Sequence, residues 1–313
     1  PMQWPLNNVP GECTYECWIE LKDNTVQVRA RLNNARSDTI KYIGRHQELP
    51  AVYSNGEYYR LLTYRGSKPF TDDKVNRIPK KTGGGFPWDY WLATENWAAL
   101  VNDKDWGLGI YKPDNYLFIG GFAGKEGRGE THDSPTGYIA PLHTEILDHN
   151  ITYDYNYALI LGSLSDIRGY AVKQGRGMGL PDWRFEKDRQ HWRYQAAGQK
   201  GTDAGWPIQG YIELDLGKQG MAVISPPGLW KAEDAPVLHI NAAFKTSQKK
   251  SQIAWTKYKT DSHNPSFNAE NSVGFDIVGD GEFRTYTIDL TSAESYTGVL
   301  SYLMFKPIRK PEK

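Results

Sequence analysis

Two short segments of the chain carry the residue types of proton transfer: His46-Gln47-Glu48 and His143-Thr144-Glu145. In an extended strand, residues two apart point to the same side, so each segment offers an imidazole and a carboxylate to one surface. If the two strands are neighbours, His46, Glu48, His143 and Glu145 converge. Such a cluster is either an acid/base set for sugar chemistry or a nest for a borderline metal ion. The plainer alternative for each segment is a surface pair that satisfies itself.

A second constellation is Phe86-Pro87-Trp88-Asp89-Tyr90-Trp91, followed by Glu95-Asn96-Trp97. Sugars present flat C–H faces and dense hydroxyls, so a sugar site needs aromatic platforms with carboxylates and amides beside them. Trp88, Asp89, Tyr90, Trp91 and Glu95 supply both, with Trp91 and Trp97 also fitting a core. In the run from Thr152 to Tyr157, the side chains of Tyr153, Tyr155 and Tyr157 share one strand face. A tyrosine beside a histidine and a carboxylate serves β-elimination of uronates, a reaction that also wants a cation on the substrate carboxylate, for which Arg45 or Arg168 is available. The glycine-rich, charged stretch from Gly120 to Asp133 reads as a surface loop or a lid. Asp276, Asp280 and Glu282 around Gly279 and Gly281 fit either a structural calcium or a turn of solvated acids. No nucleophile elbow, Cys/His pattern, CxxC pair or phosphate-binding glycine motif is present, and no cofactor is required.

The elements that must carry these residues are strands. Helical periodicity is almost missing, while 31 Gly and 18 Pro punctuate runs of β-branched and aromatic residues, the pattern of an all-β protein. Thr25 to Leu32 alternates, placing Val26, Val28, Ala30 and Leu32 on a buried face and the arginines outside. Further strands are expected at 98–101, 107–111, 116–119, 208–216, 221–224, 237–244, 252–258, 283–290 and 299–305. The stretch 67–87 reads as a long surface loop and the glycine-rich 173–181 as a linker. The chain therefore divides into a β-sandwich over 1–177 and a second over 178–313, both of ordinary domain size.

Composition narrows the partners. With 37 basic and 37 acidic residues the formal charge is zero, which argues against a nucleic-acid binder. The aromatics, 13% of the chain, exclude disorder. The longest apolar run, 157–164, is far short of the roughly 20 residues of a membrane span. Cys13 and Cys17 on one strand would lie about 13 Å apart, too far for a bridge, so two free thiols are expected unless a turn brings them together.

The segments Asp182 to Trp192, Gly205-Trp206-Pro207-Ile208, Ser225-Pro226-Pro227-Gly228-Leu229, Phe283 to Leu290 and Tyr296-Thr297-Gly298 resemble the jelly-roll modules of secreted polysaccharide-active proteins. The N-terminal half, through 46–53, 95–100, 107–111 and 138–142, more distantly resembles the galactose-mutarotase-like supersandwich domains of glycoside hydrolases, polysaccharide lyases and sugar epimerases. The resemblance implies a supersandwich-like domain followed by a carbohydrate-binding-module-like jelly roll, in a secreted or cell-surface protein. It implies an extracellular carbohydrate-active protein whose partner is a polysaccharide or oligosaccharide, either an enzyme that cleaves it by hydrolysis or elimination or a noncatalytic binder. An adhesion or assembly protein is the third alternative. His46, Glu48, His143 and Glu145 are the expected catalytic residues, with Trp88, Asp89, Tyr90, Trp91, Glu95, Arg168 and Tyr155 on the substrate.

Overall fold

The computed structural model describes residues 2–3, 11–83, 85–127, 129–130, 132, 134–175, 178–194, 203–215 and 222–308. Strands make up 44% and helix 6%, so the fold is all-β, and every strand pairing among the described residues is antiparallel. The largest sheet has eight strands, in the order Met2–Gln3, Cys13–Lys22, Thr25–Asn34, Thr152–Ser163, Trp106–Tyr111, Trp97–Val101, Arg60–Thr63 and Asn76–Arg77. A five-stranded sheet runs Arg45–Glu48, Thr136–Glu145, Leu117–Ala123 and Asp89–Leu92, with Val52–Asn55 also paired to Thr136–Glu145. A six-stranded sheet is built around Val299–Lys306 and Lys250–Lys257, and Val237–Ala242 pairs with Arg284–Asp289 in a two-stranded ribbon.

Packing clusters fix how these layers stack. Trp91, Phe118 and Ile139 of the five-stranded sheet meet Ala98, Leu100 and Ile110 of the eight-stranded one. Because strand side chains alternate, the neighbouring residues Leu92, Ile119, Tyr138, Ala140 and Leu142 point the other way. They meet Ile224, Ala254, Tyr302 and Met304 of the six-stranded sheet, and Ala222 beside it. The five-stranded sheet is thus buried on both faces, and its strands read as near-continuous apolar runs. The far face of the six-stranded sheet, through Trp230, Trp255 and Leu303, packs against the ribbon at Leu238, Ile240 and Ile288.

One α-helix, Leu164–Gln174, covers the outer face of the eight-stranded sheet, with Ile167 and Ala171 fully buried. Its start is a capping box: Ser163 Oγ accepts from the Asp166 backbone N–H while the Asp166 carboxylate accepts from the Ser163 N–H. Gly109 lets the helix approach, since a Cβ there would lie 2.2 Å from Ile167 Cγ2.

The alternating strand reading holds over Thr25–Asn34, where Val28 and Ala30 are buried and Arg29 is exposed. The strand expected at 208–216 is not formed over its described part, which contributes one isolated bridge, Asp203 to Leu214. Gly210, at φ +89°, breaks the extended run. Leu216 and Met221 lie outside the described residues, as do Arg176 and Gly177 of the expected linker and Arg128, Thr131 and Asp133 of the expected lid. Cys13 and Cys17 are free thiols on the Cys13–Lys22 strand. Among the described residues no helix is long and apolar enough to cross a membrane.

Candidate functional site

Arg45–Glu48 and Thr136–Glu145 are neighbours, but their register pairs His46 with Thr144 and Gln47 with His143. Residues opposite each other in an antiparallel pair share a face. His46 and Glu48 therefore lie on the face of Thr144 and Leu142, toward the six-stranded sheet, while His143 and Glu145 face the eight-stranded sheet. The expected convergence of all four is corrected by this single step of register. His46 Nδ1 instead lies 3.0 Å from Thr144 Oγ1, and its ring is 5.7 Å from that of Tyr90.

His143 and Glu145 gather a different set of partners. The strand Thr152–Ser163 returns alongside and places Tyr153 so that its hydroxyl donates to Glu145 Oε1 at 2.6 Å and lies 3.3 Å from His143 Nδ1. His191 completes the cluster, with Nδ1 hydrogen-bonded to Glu145 Oε1 and its ring centroid 3.7 Å from that of His143. Its φ of +63°, an uncommon left-handed conformation for a residue with a Cβ, is held by the surrounding structure. That structure is the latch of Arg189, buried and bonded to Asp148 at 2.7 Å and doubly to Asp203 at 2.5 and 2.8 Å.

The electrostatics follow from burial. His143 is held well below the usual imidazole range by burial and by the nearby His191 and Lys112, so it is neutral. Burial lowers the pKa of Lys112 to about 8 against the attraction of Glu145. Tyr153 is pushed far up by burial and by the Glu145 charge, which makes its phenol a proton donor rather than a resident phenolate. The bond between His191 Nδ1 and Glu145 Oε1 orients the imidazole and directs its Nε2 away from that carboxylate. His191, with 34% of its side chain exposed, is the member of the cluster most open to solvent.

The same three groups could hold a metal. His143, Glu145 and His191 each offer a ligand atom, all within 4.8 Å of one another, and two imidazoles with a carboxylate are a zinc-type donor set. A cation there would compete with the proton on His191 Nδ1 for the same atoms. Beside the cluster, Tyr153, Tyr155 and Tyr157 form a ladder, with Tyr155 and Tyr157 stacked at 6.2 Å and the Tyr155 hydroxyl 3.0 Å from that of Tyr15. Lys112 Nζ lies 5.8 Å from the centre of the Tyr155 ring.

The other expected site residues are dispersed. Trp91 is 2% exposed and stacked on Phe118 in the core, beyond reach of a ligand. Trp88 packs on Tyr138, Asp89 pairs with Lys81 at 2.7 Å, and Tyr90 stacks on His263. Glu95 has no exposed surface. It accepts from Phe70 N–H, Trp97 Nε1–H and, through both oxygens, Arg168. Arg168 also donates to the carbonyls of Thr71 and Asp73, so four of its five N–H donors tie the 67–76 loop to the helix and sheet, and the bidentate fork that a substrate carboxylate would need is already held by Glu95. Asp276 pairs with Lys250 and Asp280 with Arg284, while the Glu282 backbone N–H donates to Asp280. Among the described residues the three acids form no ligand set. His191 is the member of the cluster that spacing missed, since it stands 46 positions from Glu145.

No protein-family model and no curated protein matches the chain. Among solved structures the chain is similar to a Paenibacillus xanthan lyase at 10% identity and a TM-score of 0.34. The likeness covers 100% of this chain and 28% of that one, so this chain spans little more than a quarter of the lyase's length.

Proposed function

We propose that the chain is a secreted or cell-surface carbohydrate-active protein that cleaves a uronate-containing polysaccharide by β-elimination at His191, Glu145 and Tyr153. The observation that carries the reading is the position of Glu145 Oε1, which is hydrogen-bonded to both Tyr153 and His191 and so orients a partly exposed imidazole beside a phenol. His191 Nε2 takes the proton from the ring carbon next to the substrate carboxylate. The electron pair left behind forms the new C=C bond as the adjacent C–O bond breaks, and the leaving oxygen takes the Tyr153 proton. Arg45, exposed and opposite Glu145 in register, is the cation at this edge for the substrate carboxylate. Hydrolysis, which uses two carboxyl groups roughly 5–9.5 Å apart, is less well served, because Glu145 is the one carboxylate hydrogen-bonded within the cluster and Asp188, whose charge reaches Tyr153, is not bonded to it. The tyrosine ladder supplies flat surfaces for sugar rings.

The test is mass spectrometry of products after incubation with a panel of neutral and uronate-containing polysaccharides. The expected result is unsaturated oligosaccharides from the uronate polymers, lost in His191→Ala and Tyr153→Phe variants that remain folded. Products carrying added water would replace elimination by hydrolysis. Intact polymers throughout, with retained affinity, would make the chain a noncatalytic binder.

A further inference from the structure

The gap between the five- and six-stranded sheets contains a hollow of about 270 Å³ lined by His46, Tyr90, Arg193, His263, Asn264 and Tyr302. It lies on the opposite face of the Thr136–Glu145 strand from His143 and Glu145, and nothing in it depends on the elimination reading. Its distinguishing feature is Arg193. Two other covered arginines hold carboxylates, Arg168 paired with Glu95 and Arg189 with Asp148 and Asp203, whereas Arg65, half-buried like Arg193, donates to the Thr260 carbonyl. Arg193 is half-buried, with no ion pair among the described residues and no acid among the groups around the hollow. A wider basic hollow of about 680 Å³ at Arg60, Arg65, Lys74 and Arg77 differs in just this respect, since Asp105 and Asp261 line it and Arg60 bonds Asp105 at 2.6 Å.

A partly desolvated guanidinium without a counter-charge costs free energy that an anion would return. Arg193 is the one cation lining the hollow, while Arg65 acts on His263 from beyond the lining. His46 is held below the usual imidazole range by partial burial and by Arg193, and His263 by burial, so both rings are neutral and offer one donor and one acceptor each. Asp89, whose charge acts on His263, is paired with Lys81 at 2.7 Å. The walls are flat: Tyr90 and His263 are stacked at 5.1 Å, and Tyr302 fixes the loop by donating to the His263 carbonyl at 2.8 Å. The volume sits just below the roughly 300–1,000 Å³ of drug-sized sites, which suits a single sugar ring.

We propose that this hollow binds a monosaccharide-sized carboxylate, a uronic acid, with its carboxylate on the planar fork of Arg193 and its hydroxyls on His46, His263 and Asn264. A guanidinium pairs a carboxylate through two parallel hydrogen bonds, and the neutral imidazoles and amide beside it suit the hydroxyls of a sugar ring rather than further anionic oxygens.

The test is isothermal titration calorimetry of the full chain with glucuronate and galacturonate, with glucose, galactose, acetate and inorganic phosphate as controls. Saturable uronate binding is expected, absent for the neutral sugars and weakened at least tenfold in Arg193→Gln and in the more superficial His263→Ala. Arg77→Gln, at an exposed cation of the wider basic hollow, should leave the titration unchanged. No saturable uronate binding, binding unaffected by Arg193→Gln in a folded variant, or equal binding of acetate or phosphate would overturn the proposal. None of these outcomes bears on product formation at His191.

Discussion

Replacing Arg168 by Met tests whether this arginine is a structural tie. The substitution keeps an unbranched apolar stem over Tyr64, whose ring lies 5.2 Å from the guanidinium carbon, but strands Glu95 at zero exposure with two N–H donors in place of four. Breaking a buried ion pair by removing one partner costs about 3–5 kcal/mol. That is a large part of the roughly 5–15 kcal/mol by which a domain is stable. With a urea m-value of about 2–3 kcal/mol/M, the unfolding midpoint should fall by roughly 1–2 M, read from tryptophan fluorescence. Glu95→Leu should cost a similar amount, and the double variant less than the sum, because the second change removes a pair already broken. A midpoint that barely moves in Arg168→Met, together with lost polysaccharide affinity in the folded variant, would refute the tie and return Arg168 to the substrate.

Three further outcomes follow from the packing and the charges. Gly109→Ala drives a Cβ into Ile167 and should destabilise the chain by about 1–3 kcal/mol through displacement of the helix, measurable as a lower urea midpoint. Burial pushes Tyr116, Tyr157 and Tyr258 up to about 12; groups whose folded pKa is raised stabilise the fold fully below their ordinary value near 10 and lose that contribution as pH climbs from about 10 through 12. Lys112 acts oppositely, its cost being relieved as pH rises from about 8 to 10.5, so urea midpoints across this range should hold or rise slightly before falling steeply. Incubation with a chelator should leave any eliminative turnover intact, because His191 Nδ1 and Glu145 Oε1 engage each other; loss of turnover restored by zinc would reassign the cluster as a metal centre.

Period-two alternation made the strands legible, and turn residues marked their ends, so Trp97–Val101, Trp106–Tyr111, Lys250–Lys257 and Val299–Lys306 stand close to where the pattern placed them. His143 and Glu145 were legible as a pair for the same reason. What alternation cannot convey is cross-strand register: whether His46 lies opposite His143 or Thr144 depends on how the connecting chain closes, and one residue moves it to the other gap. The aromatic segment shows the same limit, since Trp88 and Tyr90 face one sheet and Trp91 the other. The helix was hidden because its apolar stripe is reduced to Ile167 and Ala171, although Ser163 and Asp166 carry a capping signature. His191 stands where it does through the Arg189 latch, a tertiary contact between residues 41 and 14 positions apart, with no local signal.

Arg189, His191 and Arg193 are spaced two apart, and each serves a different place: the latch between Asp148 and Asp203, the imidazole over His143, and the cation between the sheets. One short run of chain thus carries a common mooring for two sites in separate compartments of the molecule. An insertion or deletion between 189 and 193 would shift His191 and Arg193 together relative to the Arg189 latch. Arg189→Met should accordingly lower uronate affinity and product formation together. An effect on only one of them would show that each has its own anchorage.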